Sequence, residues 1–119
     1  MGSGLLLLPL LALALTSLTD PVAAAEVLQV RSASLLQVGD QNRSYSVALA
    51  CLELPGDQAS AATDWLRRDL PRRTKVNLRP QGSDQGTLVA RVERLDRGTD
   101  VAQDLIAAGY GQRRSGCQP

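Results

Sequence analysis

The side chains best suited to chemistry in this chain are arginines. Arg67, Arg68, Arg72, Arg73, Lys75 and Arg79 crowd one stretch, and Asp64 and Asp69 are the acids nearby. Forked guanidiniums bind phosphate oxygens well, and a run of them that follows a phosphate backbone binds with a steep salt dependence. The same residues also suit a plainer role, as solvating charges on a helix end and an edge strand. The second chemically active pair is Cys51 and Cys117. In an oxidising compartment an even pair is most simply one disulfide, worth roughly 4 kcal/mol for so long a loop on the chain-entropy account. The alternative is a buried Cys51 and a free Cys117. The chain has no histidine, which removes Ser-His-Asp triads, Cys-His nucleophile pairs and imidazole zinc sites. Two cysteines are too few for a Cys-only zinc site.

The 119 residues carry 13 Lys+Arg against 12 Asp+Glu, so net charge alone excludes a strongly charged nucleic-acid or membrane binder. Hydrophobic residues make up 44%, enough to fold, but aromatics are 3% and phenylalanine is absent, which leaves few rings to stack on bases. Trp65, Tyr45 and Tyr110 read as packing residues. Asn42-Arg43-Ser44 matches an N-glycosylation sequon, relevant only in a pathway that glycosylates.

Residues Leu5 to Leu18 are a leucine–alanine run that is short for a membrane span, and Val22-Ala23-Ala24-Ala25 places small residues where a signal peptidase cuts. Met1 to Gly4 lacks the usual basic residue, so an uncleaved anchor is the alternative. The expectation is a signal peptide over 1–25 and one exported domain over 26–119, with no membrane association after cleavage and a slightly basic balance, because Asp20 leaves with the signal and every basic residue stays.

The mature chain alternates like strands over Val27–Leu36, bends at Gly39–Asn42, and alternates again from Arg43 to Leu54 before Pro55-Gly56-Asp57 stops it. Gln58–Leu70 predicts a helix, with Ala62, Trp65, Leu66 and Leu70 at helical spacing and Pro71 behind it. Lys75–Arg79 predicts a short strand closing at Pro80, Gln81–Gly86 a hairpin-like loop, and Thr87–Leu95 another strand. Asp100 is placed to cap a second helix, with Gln103 reaching back and Gly109 ending it. Strands, helix, strands, helix in this order predict an α+β, mainly β fold: a five-stranded OB-type Greek-key barrel with two helices.

On these residues the chain resembles the staphylococcal nuclease-like (thermonuclease, TNase-like) family. The resemblance is carried by "YSVALACLELPG" (45–56), "ATDWLRRDLP" (62–71), "KVNLRPQGSDQGTLVARVERL" (75–95) and "DVAQDLIAAGYGQ" (100–112), in the family's order. It covers Val27 to Gln112 and leaves no room for the family's third, C-terminal helix. The resemblance implies phosphodiester hydrolysis with one Ca²⁺ held partly by two aspartates, a glutamate base and two phosphate-holding arginines. The matching positions here are Ser34 for the first metal ligand, Ala48 for the first arginine, Glu53 for the second ligand, Gly56 for the base and Thr87 for the second arginine. Only Glu53 keeps the chemistry. Displaced substitutes are Asp40 as a metal ligand, Asp57 as the base and Arg91 as the clamp.

The resulting expectation is an exported barrel without catalysis or cofactor. It acts as a binding module for nucleic acid or another polyanion through Arg67, Arg68, Arg72, Arg73, Lys75 and Arg79, or for a protein partner. The alternative is a divergent Ca²⁺-dependent nuclease working through Glu53 and Asp57.

Overall fold

The computed structural model describes residues 25–117. The expected signal peptide, up to residue 24, lies outside the described residues, as do residues 118 and 119. Ala25 itself opens the first strand, where it is buried and paired with Val76.

The chain runs β1 (Ala25–Ser32), β2 (Leu35–Asp40), β3 (Arg43–Leu49) and a short β4 (Leu52–Glu53). After a single 3-10 turn over Gly56–Gln58 come α1 (Ala59–Asp69), β5 (Lys75–Asp84) and β6 (Thr87–Arg94). The short β7 (Thr99–Asp100), α2 (Val101–Ala107) and β8 (Gln112–Arg113) follow. Strands pair in the order β3-β2-β1-β5-β6-β7, and a further β3–β6 pairing closes the sheet on itself. That closing pair is parallel, with Val47, Ala48 and Leu49 opposite Leu88, Val89 and Ala90, while the other pairings are antiparallel. The five strands β1, β2, β3, β5 and β6 thus form the closed Greek-key barrel expected of an OB-type fold, with two helices.

The interior is aliphatic. Val27, Leu36, Val38, Val47, Val76, Ala90 and Val92 fill the barrel, and Ala62, Leu66, Leu70, Val101, Ala102 and Leu105 bring both helices onto it. Val27 and Val30 are three positions apart yet both buried, because β1 slips register twice, between Val27 and Gln29 and between Val30 and Ser32. A bulge of this kind adds twist and returns an odd-spaced side chain to the core. Two further register features depart from the sequence reading. The run from Arg43 to Leu54 breaks at Ala50–Cys51, where Cys51 takes φ +66° and the backbone turns. The strand from Lys75 does not close at Pro80, and Gln81–Asp84 is strand rather than loop. Pro80 has no N–H for the ladder, and the pairing with β6 shifts between Pro80 and Gly82 before resuming to Asp84.

α1 has no side-chain cap at its start; it is fixed instead by its contacts with β1 and the β1–β2 turn. Thr63 Oγ1 accepts the Ala33 N–H at 2.9 Å, and Arg67 donates to the Val30 and Arg31 carbonyls at 3.1 Å each. α2 is capped as expected by Asp100, whose carboxylate accepts from the Ala102 N–H at 2.8 Å. Gln103 does not reach back to it. Its side chain instead accepts from Arg113 Nη2 at 3.0 Å, and Thr99 and Asp104 bond to each other at the helix start. The helix ends in a Schellman arrangement: Gly109 donates to Ile106 and Tyr110 to Leu105, with Gly109 at φ +99°. This exit lays Tyr110 against Trp65, ring centres 6.2 Å apart.

Cys51 and Cys117 are bonded. The bridge holds the C-terminal segment against the end of β3, where Arg114 N also donates to Cys51 O at 3.0 Å. β8 pairs with β4, Gln112 opposite Glu53. The disulfide suits an oxidising, extracytoplasmic environment. Among the described residues no helix is long and apolar enough to cross a membrane.

Candidate functional site

The link between α1 and β5 is a stitched turn. Thr74 bonds back to Pro71 O through both its N–H and its hydroxyl, Arg73 N donates to Val27 O at 2.7 Å, and Val27 N donates to Thr74 O at 3.0 Å. Arg73 adopts φ +76° within it. The effect is to fix an exposed backbone from which Arg72 and Arg73 project, next to the exposed Arg68 on the last turn of α1. None of these three forms an ion pair with a described carboxylate.

The other members of the predicted basic cluster divide off. Arg67 spends its guanidinium on two backbone carbonyls and so helps hold α1 to β1. Lys75 Nζ pairs with Glu26 at 2.9 Å, and that bond holds the Glu26 carboxyl below its usual range, with Arg73 and Arg72 adding a weaker pull. Arg79 lies farther along β5, opposite Arg91 and 3.8 Å from Glu93. Arg72, Arg73 and Lys75 thus all act on Glu26, Arg68 is exposed near the end of α1, and Arg67 and Arg79 are engaged elsewhere, with the Val30 and Arg31 carbonyls and with Glu93.

The positions matched through the family resemblance do gather. Leu35 pairs with Ala48, Leu49 N donates to Ser34 O at 3.1 Å, and Ala48 lies opposite Val89, two residues after Thr87. Ser34, Ala48 and the start of β6 thus meet at one end of the barrel, and none brings a charged side chain. Glu53 is exposed on β4, and its carboxylate accepts from Gln112 Nε2 at 3.0 Å. Asp57 is exposed in the 3-10 turn.

The displaced substitutes Asp40, Asp57 and Arg91 lie on three different elements: the end of β2, the 3-10 turn and β6. Asp40 ends β2 at the β2–β3 hairpin, the opposite end of that strand from Ser34, roughly 15–20 Å away by strand rise. Its carboxylate accepts from the Tyr45 hydroxyl at 3.0 Å. Burial and this acceptor together push the Tyr45 hydroxyl above its ordinary pKa. Asp40 is therefore no companion to Glu53, and among the described residues no three His, Cys, Asp or Glu side chains gather as a metal site. A hard cation such as Ca²⁺ takes six to eight oxygens, and the residues at this end do not fit one. Arg91 is half-buried on β6 and faces Arg79.

Sequence reasoning missed Arg94. It reads as one polar position of a strand, yet it is the buried charged residue of the described chain, 3% exposed. Its guanidinium binds Asp96 through Nε and Nη2 and Asp69 through Nη1, and Arg97 takes the remaining side of Asp69. The Arg94 bond holds the Asp96 carboxyl below its usual range, and the Asp69 bond raises Arg97. An acid at each of positions 69 and 96 was the available signal.

Neither a protein-family model nor a curated protein matches the chain.

Proposed function

We propose that the chain is an exported staphylococcal nuclease-like barrel without nuclease activity, which binds a polyanion such as single-stranded nucleic acid through Arg68, Arg72, Arg73 and Lys75. The observation that carries this reading is the stitched 71–74 turn, which holds Arg72 and Arg73 exposed close after Arg68 in the chain, in no ion pair with a described carboxylate and with only a weak pull on Glu26. A backbone already fixed beneath these cations spares the loop-ordering part of the cost of binding phosphates. Export through the leucine–alanine leader accords with the disulfide. The loss of nuclease chemistry rests on Ser34, Ala48 and Thr87, which supply neither carboxylate nor guanidinium at the end of the barrel where they meet.

Gel shifts on single-stranded DNA at rising salt test the binding. Affinity should fall steeply with salt, and the triple variant Arg68→Gln/Arg72→Gln/Arg73→Gln should bind more weakly, with a salt slope reduced by about two to three. Equal retention of wild type and variant ends the proposal. Catalysis is checked on the same DNA with Ca²⁺ and with EDTA. The two incubations should leave it equally intact, and Ca²⁺-dependent cleavage that disappears in Glu53→Ala would establish the nuclease alternative instead.

A further inference from the structure

β1 and β5 are joined by the shortest of the ladders between the barrel strands. The joint is made of two residue pairs, Ala25 with Val76 and Glu26 with Lys75, whereas β1–β2, β2–β3, β3–β6 and β5–β6 have three or more each. It also binds the part of the barrel that precedes α1 to the part that follows it. Beyond Glu26 it is continued by the bonds between Val27 and the 71–74 turn.

Ala25 is therefore a working part of the fold. It is 8% exposed, belongs to the core, and as the register partner of Val76 lies on the same face as that wholly buried side chain. A chain that began at Glu26 would lose one of the two pairs in this joint and uncover apolar surface at Val76.

A signal peptidase requires small residues at the first and third positions before the bond it cuts. Three bonds at the end of the leader follow an alanine. The bond after Ala23 puts Pro21 at the third position, which does not suit. The bond after Ala24 has Val22 and Ala24 in place, and the bond after Ala25 has Ala23 and Ala25. On sequence alone the last is the better match, but the fold opposes it, because it discards Ala25.

We infer that the leader is cut between Ala24 and Ala25, so that the exported protein begins at Ala25. In the peptidase, water adds to the Ala24 carbonyl and the Ala24–Ala25 C–N bond breaks, giving the Ala24 carboxylate and the Ala25 ammonium. The new charge stands at the outer end of the β1–β5 ladder, and both pairs survive. Cleavage here presupposes export through the leader, as proposed above, and fixes the bond at which it occurs.

The full chain, produced with its leader in a secreting host, tests this by intact mass and N-terminal sequencing of the exported protein. The first residue should be Ala25. Glu26 or any other internal start overturns the inference while leaving export standing, whereas a chain beginning at Met1 in the membrane fraction overturns export and the inference together. Ala24→Leu spoils the proposed bond and leaves Ala23 and Ala25 to direct a cut after Ala25. That variant should be released one alanine shorter, unfold at lower urea than the wild type, and exchange amide hydrogens faster at the start of β5. Release of the variant at the 24–25 bond, or equal urea midpoints for the two exported proteins, overturns the inference.

Discussion

Arg94 reaches from the end of β6 to the end of α1 and donates Nη1 to the Asp69 main-chain oxygen at 2.6 Å and to its carboxylate at 3.1 Å. One guanidinium thereby satisfies a carbonyl of the last helical turn, which has no partner within its helix, and links α1 to the barrel 25 residues on. Asp96 closes the other side of the fork at 3.1 and 2.9 Å.

Arg94→Met keeps the bulk and removes every one of these bonds. We expect a loss of about 2–3 kcal/mol, below the usual cost of breaking a fully buried pair because Asp69 and Asp96 still reach water. Urea unfolding checks it. Arg97→Ala, at an exposed position on the same Asp69, should lower the urea midpoint far less.

The same network sets an acid dependence. Asp96 is held below its ordinary 3.8 by Arg94, and Glu26 below its ordinary 4.5 by Lys75. A carboxyl whose pKa is lower folded than unfolded binds fewer protons in the native state, so its contribution is complete above the unfolded value and disappears as pH falls through the folded one. Urea midpoints should be flat from neutral pH down to about 5 and decline below the ordinary carboxylate range. Asp96→Asn should start lower at neutral pH and lose less on acidification. A wild-type midpoint that holds steady to pH 2.5 contradicts the assignment.

Much of the barrel was legible because its signals are local. The Gly39–Asn42 bend, Pro71 behind α1, and Asp100 and Gly109 at either end of α2 each act on the backbone within a few residues, and each is found where the sequence places it. What the sequence hides is set by partners distant in the chain. Pro80 looks like a strand end, yet the β6 ladder carries the strand past it by a shift of register. Gln103 is spaced for a capping box, but Arg113 claims its oxygen. Position 67 reads as surface charge, and only the closeness of β1 turns it toward the Val30 and Arg31 carbonyls. The candidate site divides the same way. Arg68, Arg72 and Arg73 are neighbours in sequence and each is exposed, whereas the facing of Arg79 and Arg91 follows from strand register alone.

The bridge between Cys51 and Cys117 spans 66 positions. On the chain-entropy account its removal costs roughly 4 kcal/mol, and the buried Cys51 makes the choice of replacement matter. Cys51→Ala/Cys117→Ser should lower the urea midpoint strongly, and reductant should lower the wild type to about the same level while leaving the double variant unmoved. A wild-type midpoint insensitive to reductant would show the thiols already free.

The join between the C-terminal segment and β4 turns on Gly111. Its φ is +69°, and a Cβ there would sit 2.8 Å from the Glu53 carbonyl oxygen and 3.2 Å from the Leu52 and Leu54 side chains. Its N–H donates to Gln58 Oε1 at 2.7 Å, so the backbone cannot drift away without losing that bond as well. Gly111→Ala thus combines about 1–2 kcal/mol for a left-handed non-glycine residue with a contact against main chain that no rotamer relieves. Gly109 is the control. It also has a positive φ, +99°, but a Cβ added there meets nothing within 4 Å. Gly109→Ala should therefore show the backbone cost alone, and Gly111→Ala a larger one, about 2–4 kcal/mol in urea unfolding. Because the added cost falls on the β4–β8 contact, Gly111→Ala should also speed hydrogen exchange at Glu53 and Arg113 while exchange at Val38 and Val47 in the barrel keeps step with global stability. Equal losses in the two alanine variants would mean that the approach of Gly111 to Glu53 is looser than the structure places it.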